Sequence, residues 1–140
     1  MPLKILAITV SFLFGFTATA ASQQETAEQF IERVKKAIGN DEWGRAQSGI
    51  KHALSLKPES AEANFIAAQV YWYEGSRSQA TDFLFKTIKL QPIYPEAHLL
   101  LAKYLKEEKK LDEALGEVTV AINQGAALFC VLFAFRNTCC

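Results

Sequence analysis

Side chains able to do chemistry are few in this chain and poorly placed for it. There are two histidines, His52 and His98, and no cysteine lies near either. Glu96 and His98 stand two apart, a spacing that sends side chains to different faces of a helix rather than to one metal ion. The three cysteines, Cys130, Cys139 and Cys140, all fall within the last eleven residues. No Gly-rich phosphate loop, nucleophile elbow or Cys-x-x-Cys pair is present. Ser48, Ser55 and Ser60 read as surface or capping residues. The chain therefore reads as a non-enzyme with no metal site and no cofactor. Its function must come from a surface, and the surface from the elements that build it.

Those elements recur every 34 residues. Ala46, Ala80 and Ala114 keep that interval, as do Ala53, Thr87 and Ala121, and Ile50, Leu84 and Val118. So do Leu54, Ile88 and Ile122, the pair Pro58 and Pro92, and Glu28, Glu62 and Glu96. A period of this length means a stacked array rather than one globular core.

Each unit divides into two helices. Phe30, Ile31, Val34, Ala37 and Ile38 follow helical spacing, and Gly39-Asn40-Asp41 ends the run with residues suited to a left-handed backbone. A second helix carries Trp43, Ala46, Ile50, Ala53, Leu54 and Leu56 before Lys57-Pro58. The next unit runs from about Glu59 to Tyr73, turns at Glu74-Gly75-Ser76 and returns from Ser78 to Leu90. The last runs from Pro95 to Lys106, turns through Glu107-Glu108-Lys109-Lys110 and returns from Leu111 to Asn123. Such short turns make consecutive helices antiparallel neighbours. Small residues at Ala46, Ala80 and Ala114, and at Ala53, Thr87 and Ala121, let the partner helix approach closely.

The unit resembles the tetratricopeptide repeat. Ala68 and Ala102 occupy that family's small slot in the first helix, Tyr71 its closing aromatic, Ala80 and Ala114 its most typical alanine, and Pro58 and Pro92 its final proline. The resemblance covers about residues 27–124. It implies an all-α fold, an α-solenoid wound as a right-handed superhelix of three helix-turn-helix repeats, at 27–60, 61–94 and 95–125. Departures are local. Arg33 and Val34 replace an apolar and a small residue, Asn64 and His98 fill a slot usually large and apolar, and Ala126 stands where a third proline belongs.

First helices line the concave face of such arrays, so the resemblance implies a groove. Its candidate partner-binding residues here are Phe65, Gln69, Trp72, Tyr73, Leu99, Lys103 and Lys106. Aromatic side chains supply contact area at low entropy cost, and Lys103 and Lys106 suit an acidic or carboxylate-bearing segment. Some relatives clamp a peptide carboxylate with Lys, Asn and Arg. The matching positions are Ile31, Lys35, Ile66, Glu96 and Leu100, of which only Lys35 is basic, so that clamp is absent.

The two ends differ from the body. Residues 1–20 read as a secretory signal, with Lys4, an apolar run from Ile5 to Phe16 and Ala18-Thr19-Ala20 at the cleavage point. Cleavage there predicts an exported protein, secreted or periplasmic. The full chain carries 15 basic and 15 acidic side chains, and losing Lys4 leaves 14 against 15, about −1. That balance gives no case for nucleic acid, whose binding needs clustered Lys and Arg.

Residues 126–140 form an apolar, Cys-containing tail. Ten apolar residues make about 15 Å of helix, half a bilayer core, so no spanning segment is expected in the mature chain. Three readings stay open: the start of a fourth unit with Leu132 and Phe135 on the third repeat, a docking segment, or a truncated or misread end. In an oxidising compartment Cys130 has Cys139 or Cys140 as a partner.

The residues therefore predict an exported scaffold that binds a partner protein or peptide in its groove. The alternative is an assembly subunit of an envelope or secretion complex that oligomerises through its ends and apolar tail.

Overall fold

The computed structural model describes residues 25–127 and Val131. The expected signal segment at 1–20 and most of the 126–140 tail lie outside the described residues. Among the described residues six helices follow in order: α1 (Ala27–Gly39), α2 (Trp43–Leu56), α3 (Ala61–Tyr73), α4 (Arg77–Leu90), α5 (Pro95–Glu107) and α6 (Leu111–Asn123). They pair as three hairpins, α1 with α2, α3 with α4 and α5 with α6. Between hairpins, α2 packs on α3 and α4 on α5, while α1 also touches α3. The fold is an all-α tetratricopeptide-type solenoid, as the repeat predicts.

Helix starts follow from local chemistry. Thr26 and Gln29 form a reciprocal capping box, with Gln29 N donating to Thr26 Oγ1 at 3.3 Å and Thr26 N to Gln29 Oε1 at 3.0 Å. Ser60 Oγ accepts from Ala63 N at 3.2 Å, and Pro95 opens α5, where a missing N–H costs nothing.

The hairpin turns are copies of one another. Glu42 N, Ser76 N and Lys110 N donate to Ala37 O, Tyr71 O and Leu105 O at 2.8, 2.9 and 2.9 Å. Each is the six-residue closure that follows a left-handed residue. That residue is Asp41 (φ 59°), Gly75 (φ 82°) and Lys109 (φ 66°). The first turn thus differs from expectation: Gly39 stays helical, Asn40 has φ −101°, and the left-handed step falls on Asp41.

The core sits at the two seams. One cluster gathers Ile31, Val34, Ile50, Ile66 and Val70, the other Leu84, Leu101, Tyr104 and Leu105. Phe65, Tyr71 and Phe83 touch both. The small columns lie at closest approach: Ala46, Ala53, Ala68, Ala80, Thr87, Ala102 and Ala121 are fully buried, and Ala114 is 1% exposed. Thr87 is tolerated there because its hydroxyl donates to Phe83 O at 2.8 Å.

Polar residues stitch the junctions between hairpins. Buried Asn64 donates through Nδ2 to Pro58 O (3.0 Å) and Ser60 O (2.7 Å). In the next hairpin His98 holds that column, its Nδ1 at 2.6 Å from Glu117 Oε2. Gln124 then ties the junction, accepting from Tyr94 N at 3.1 Å and donating to Pro92 O at 2.7 Å. Of the two departures from an apolar slot, Asn64 is therefore a hydrogen-bonded junction clip, whereas His98 ties α5 to α6 within the third hairpin. Pro58 and Pro92 contribute carbonyl acceptors as well as helix stops.

Candidate functional site

Helices α1 and α3 run side by side because α2 packs α3 against the first hairpin. Between them, roofed by the junction before α5, lies a depression of about 360 Å³. Its walls are Ile38, Phe65, Ile66 and Tyr94, with Lys35, Glu62 and Gln69 at the polar positions. Phe65 meets Tyr94 edge-on, ring centroids 5.2 Å apart at 87°. That geometry sets the positive edge of one ring on the negative face of the other.

Electrostatics close one side of the depression. Lys35 Nζ lies 2.5 Å from Glu62 Oε1 and 2.8 Å from Glu32 Oε1. Hydrogen bonds to Glu32 and then Glu62 hold the ammonium well above the usual lysine range. The pair bridges α1 to α3 and leaves Lys35 committed. Burial, with Glu96 and Glu62 nearby, raises the Tyr94 phenol above its ordinary value. A neutral, amphipathic phenol therefore borders the site.

The expected binding residues divide by location. Phe65 and Gln69 line this depression, both half-buried. Trp72 lies elsewhere, stacked on Tyr104 with centroids 3.7 Å apart at 2°, and with the Arg77 guanidinium 5.3 Å from its ring. Tyr73 is 61% exposed and stacks on Trp43 at 3.8 Å and 10°. These two stacks join α3 to α5 and α2 to α3, so both aromatics have seam partners. Leu99 is 8% exposed and offers almost no surface. Lys103 and Lys106 are half-buried on α5.

Tyr94 was not among the expected residues. It sits in the junction between Pro92 and Pro95, outside any helical period, and an aromatic flanked by two prolines was the only signal for it. Lys35, Ile38 and Glu62 were legible only as part of the wider lining of the first helices. Among the described residues no group of three or more His, Cys, Asp or Glu is placed to hold a metal ion. Among them, too, no helix is long and apolar enough to cross a membrane.

No protein-family model matches the chain. Over 76 residues, 54% of its length, it is 29% identical to protein O-mannosyl-transferase Tmtc1 of Drosophila melanogaster, of which the match covers 9%. The crystal structure of YrrB, a TPR protein with an unusual peptide-binding site, superposes with a TM-score of 0.71 at 17% identity, over 81% of this chain and 58% of that one. MamA superposes at 0.66 with 22% identity, over 71% of this chain and 58% of its own. The second TPR of Spaghetti (RPAP3), solved bound to the HSP90 peptide SRMEEVD, gives 0.66 at 16% identity, over 71% of this chain and 93% of its own. This chain thus spans less than a tenth of Tmtc1 and under two thirds of YrrB and MamA. The likeness lies in the fold: stacked tetratricopeptide hairpins.

Proposed function

We propose that this array of tetratricopeptide hairpins is a binding scaffold, and that it takes an extended peptide segment of a partner protein across the face shared by α1 and α3. The observation that carries the reading is the depression walled by Ile38, Phe65, Ile66 and Tyr94, with Gln69 among its lining residues. Its size suits one bulky apolar side chain. The amide of Gln69 has a donor and an acceptor to offer a peptide main chain beside that anchor. Two of the structural neighbours have names that speak of peptides: YrrB has a peptide-binding site, and the Spaghetti repeat was solved with one bound.

The ligand differs from that acidic HSP90 peptide. Lys35, the one basic residue at the positions that would clamp a carboxylate, is already paired with Glu32 and Glu62. An apolar anchor with uncharged flanks fits better than an acidic end. Export is part of the proposal, supported by the pattern of residues 1–20, and cell fractionation of tagged chain tests it.

Panning the full chain against a displayed random-peptide library tests the binding site. Selected peptides should share one large apolar position and lose capture by a Gln69→Ala chain of unchanged stability. Peptides captured equally by both chains would remove this face as the site.

A further inference from the structure

Among the described helices, the outer faces of the first hairpin and of α6 do not match the interior, and they are complementary to each other. In α2, Trp43 stacks on Tyr73 of the next hairpin, and Ile50 and Leu54 pack with Ile66 and Val70 of that hairpin in one cluster; Gln47 stands in the same helical stripe. The same register in α6 gives Leu111, Leu115, Val118 and Ile122, apolar at every position. Val118 is 9% exposed, but Leu111, Leu115 and Ile122 are 60%, 61% and 43% exposed. Leu54 and Ile88, in the column of Ile122, are partly buried and pack into the seam clusters.

At the opposite end, α1 and α2 frame a groove of about 600 Å³ whose apolar lining includes Phe30, Val34 and Ala37. Gly49 contributes no side chain there, and Cγ2 of Val34 takes the space that a Cβ would need. Its rim is basic, with Arg33, Lys36 and Arg45 against Glu42. Arg45 is paired with Glu42 and Arg33 with Glu25, whereas Lys36 has no ion-pair partner among the described residues. On α6 the first turn is acidic, and neither Asp112 nor Glu113 has an ion-pair partner among the described residues.

We propose that the occupant of each end is the other end of a second copy of this chain, α6 of one molecule seating on the α1–α2 groove of the next. The contact continues the packing that α2 makes on α3. The repeat register makes the assignment of charges. Trp43, at the start of α2, meets Tyr73, at the end of α3. The start of α6 therefore meets the end of α1, which brings Asp112 to Lys36, in the last turn of α1. Gln29, Arg33 and Lys36 stand where α3 has buried Ala63, Ala67 and Val70, so this contact is weaker than a seam inside the chain. Such head-to-tail contacts build an open chain unless their rotation closes a ring, and an open assembly lengthens with concentration.

Sedimentation velocity of the full chain over a wide concentration range tests this. The mean mass should grow past two copies, and shrink as salt screens the charge pair. Leu115→Asp blocks one end and Lys36→Glu the other, so each variant alone should stay monomeric, weakened about tenfold or more. Both positions are solvent-exposed, so folding is retained. Mixing the two variants leaves one live end on each, and the mixture should form pairs and nothing larger. A wild-type chain monomeric at every concentration overturns the proposal. So does a self-limited pair indifferent to Lys36→Glu, or a mixture of the variants that yields no pairs.

Discussion

A side-chain carbon on Gly49 would stand 2.6 Å from Cγ2 of Val34, closer than atoms in contact can lie. The same two columns hold Ala68 and Phe83 in the second hairpin, and Ala102 and Glu117 in the third. The first hairpin thus inverts the distribution of bulk, carrying it on α1 and leaving none on α2. What reads in sequence as a worn small-residue slot at Val34 is a compensated exchange. Gly49→Phe should therefore destabilise the chain by roughly 1–3 kcal/mol, the usual cost of overpacking. Adding Val34→Ala recreates the pair found at Ala68 and Phe83, and should return at least about 1 kcal/mol. Urea unfolding of the two single variants and the double measures the coupling, and simple additivity would mean the two sites do not compete for space.

The turn column predicts a gain in stability. Lys109 holds a left-handed backbone (φ 66°) at the station where the second hairpin has Gly75 (φ 82°). A side chain in that region costs about 1 kcal/mol that glycine does not pay. Lys109→Gly should raise the melting temperature, and Gly75→Ala should lower it by a comparable amount. Calorimetry of the two variants side by side checks the sign of each, and a melting temperature lowered by Lys109→Gly would contradict the reading.

How much of this was legible in the residues depends on what each feature rests upon. The six helices and the buried alanine columns were, because burial follows helical period and matched residue types recur at Ala46, Ala80 and Ala114. The column Asp41, Gly75 and Lys109 was not, since three unlike residues share one backbone conformation and no identity marks it. The site was half legible. Phe65 and Gln69 lie on a first helix, where the resemblance pointed, but Tyr94 lies in a junction that no periodicity describes. Tyr73 and Trp72 are legible as aromatics of a first helix, but the ring that each stacks on within 4 Å is not, because that contact needs two hairpins in place.

That distinction sets the binding prediction. Trp72→Ala removes a seam stack, so it should lower stability as well as any capture. Gln69→Ala touches the depression and no core cluster, so it should weaken capture of a selected peptide by about 1 kcal/mol, roughly fivefold, with no change in melting temperature. Titration calorimetry with one such peptide, alongside thermal melts, separates the two effects. Full affinity in the Gln69→Ala chain would count against this residue.

Alkaline pH should destabilise the fold through Tyr104. Burial, aided by Glu107, pushes the Tyr104 phenol well above its ordinary value. The folded state favours the neutral phenol, so this contribution is complete below the unfolded value near 10 and is lost as pH rises beyond it. Tyr104→Phe keeps the ring against Trp72 and removes the titration. Melting temperatures measured from roughly pH 9 to 11.5 should fall less steeply in that variant. Identical slopes would place the alkaline sensitivity elsewhere.

The chain has two tryptophans, Trp43 and Trp72, and each is stacked across a different seam. The molecule therefore carries its own pair of optical gauges. Emission from one reports the junction of the first and second hairpins, and emission from the other reports the junction of the second and third. A chain keeping one indole at a time would reveal whether unzipping travels along the stack from an end or strikes both joints together.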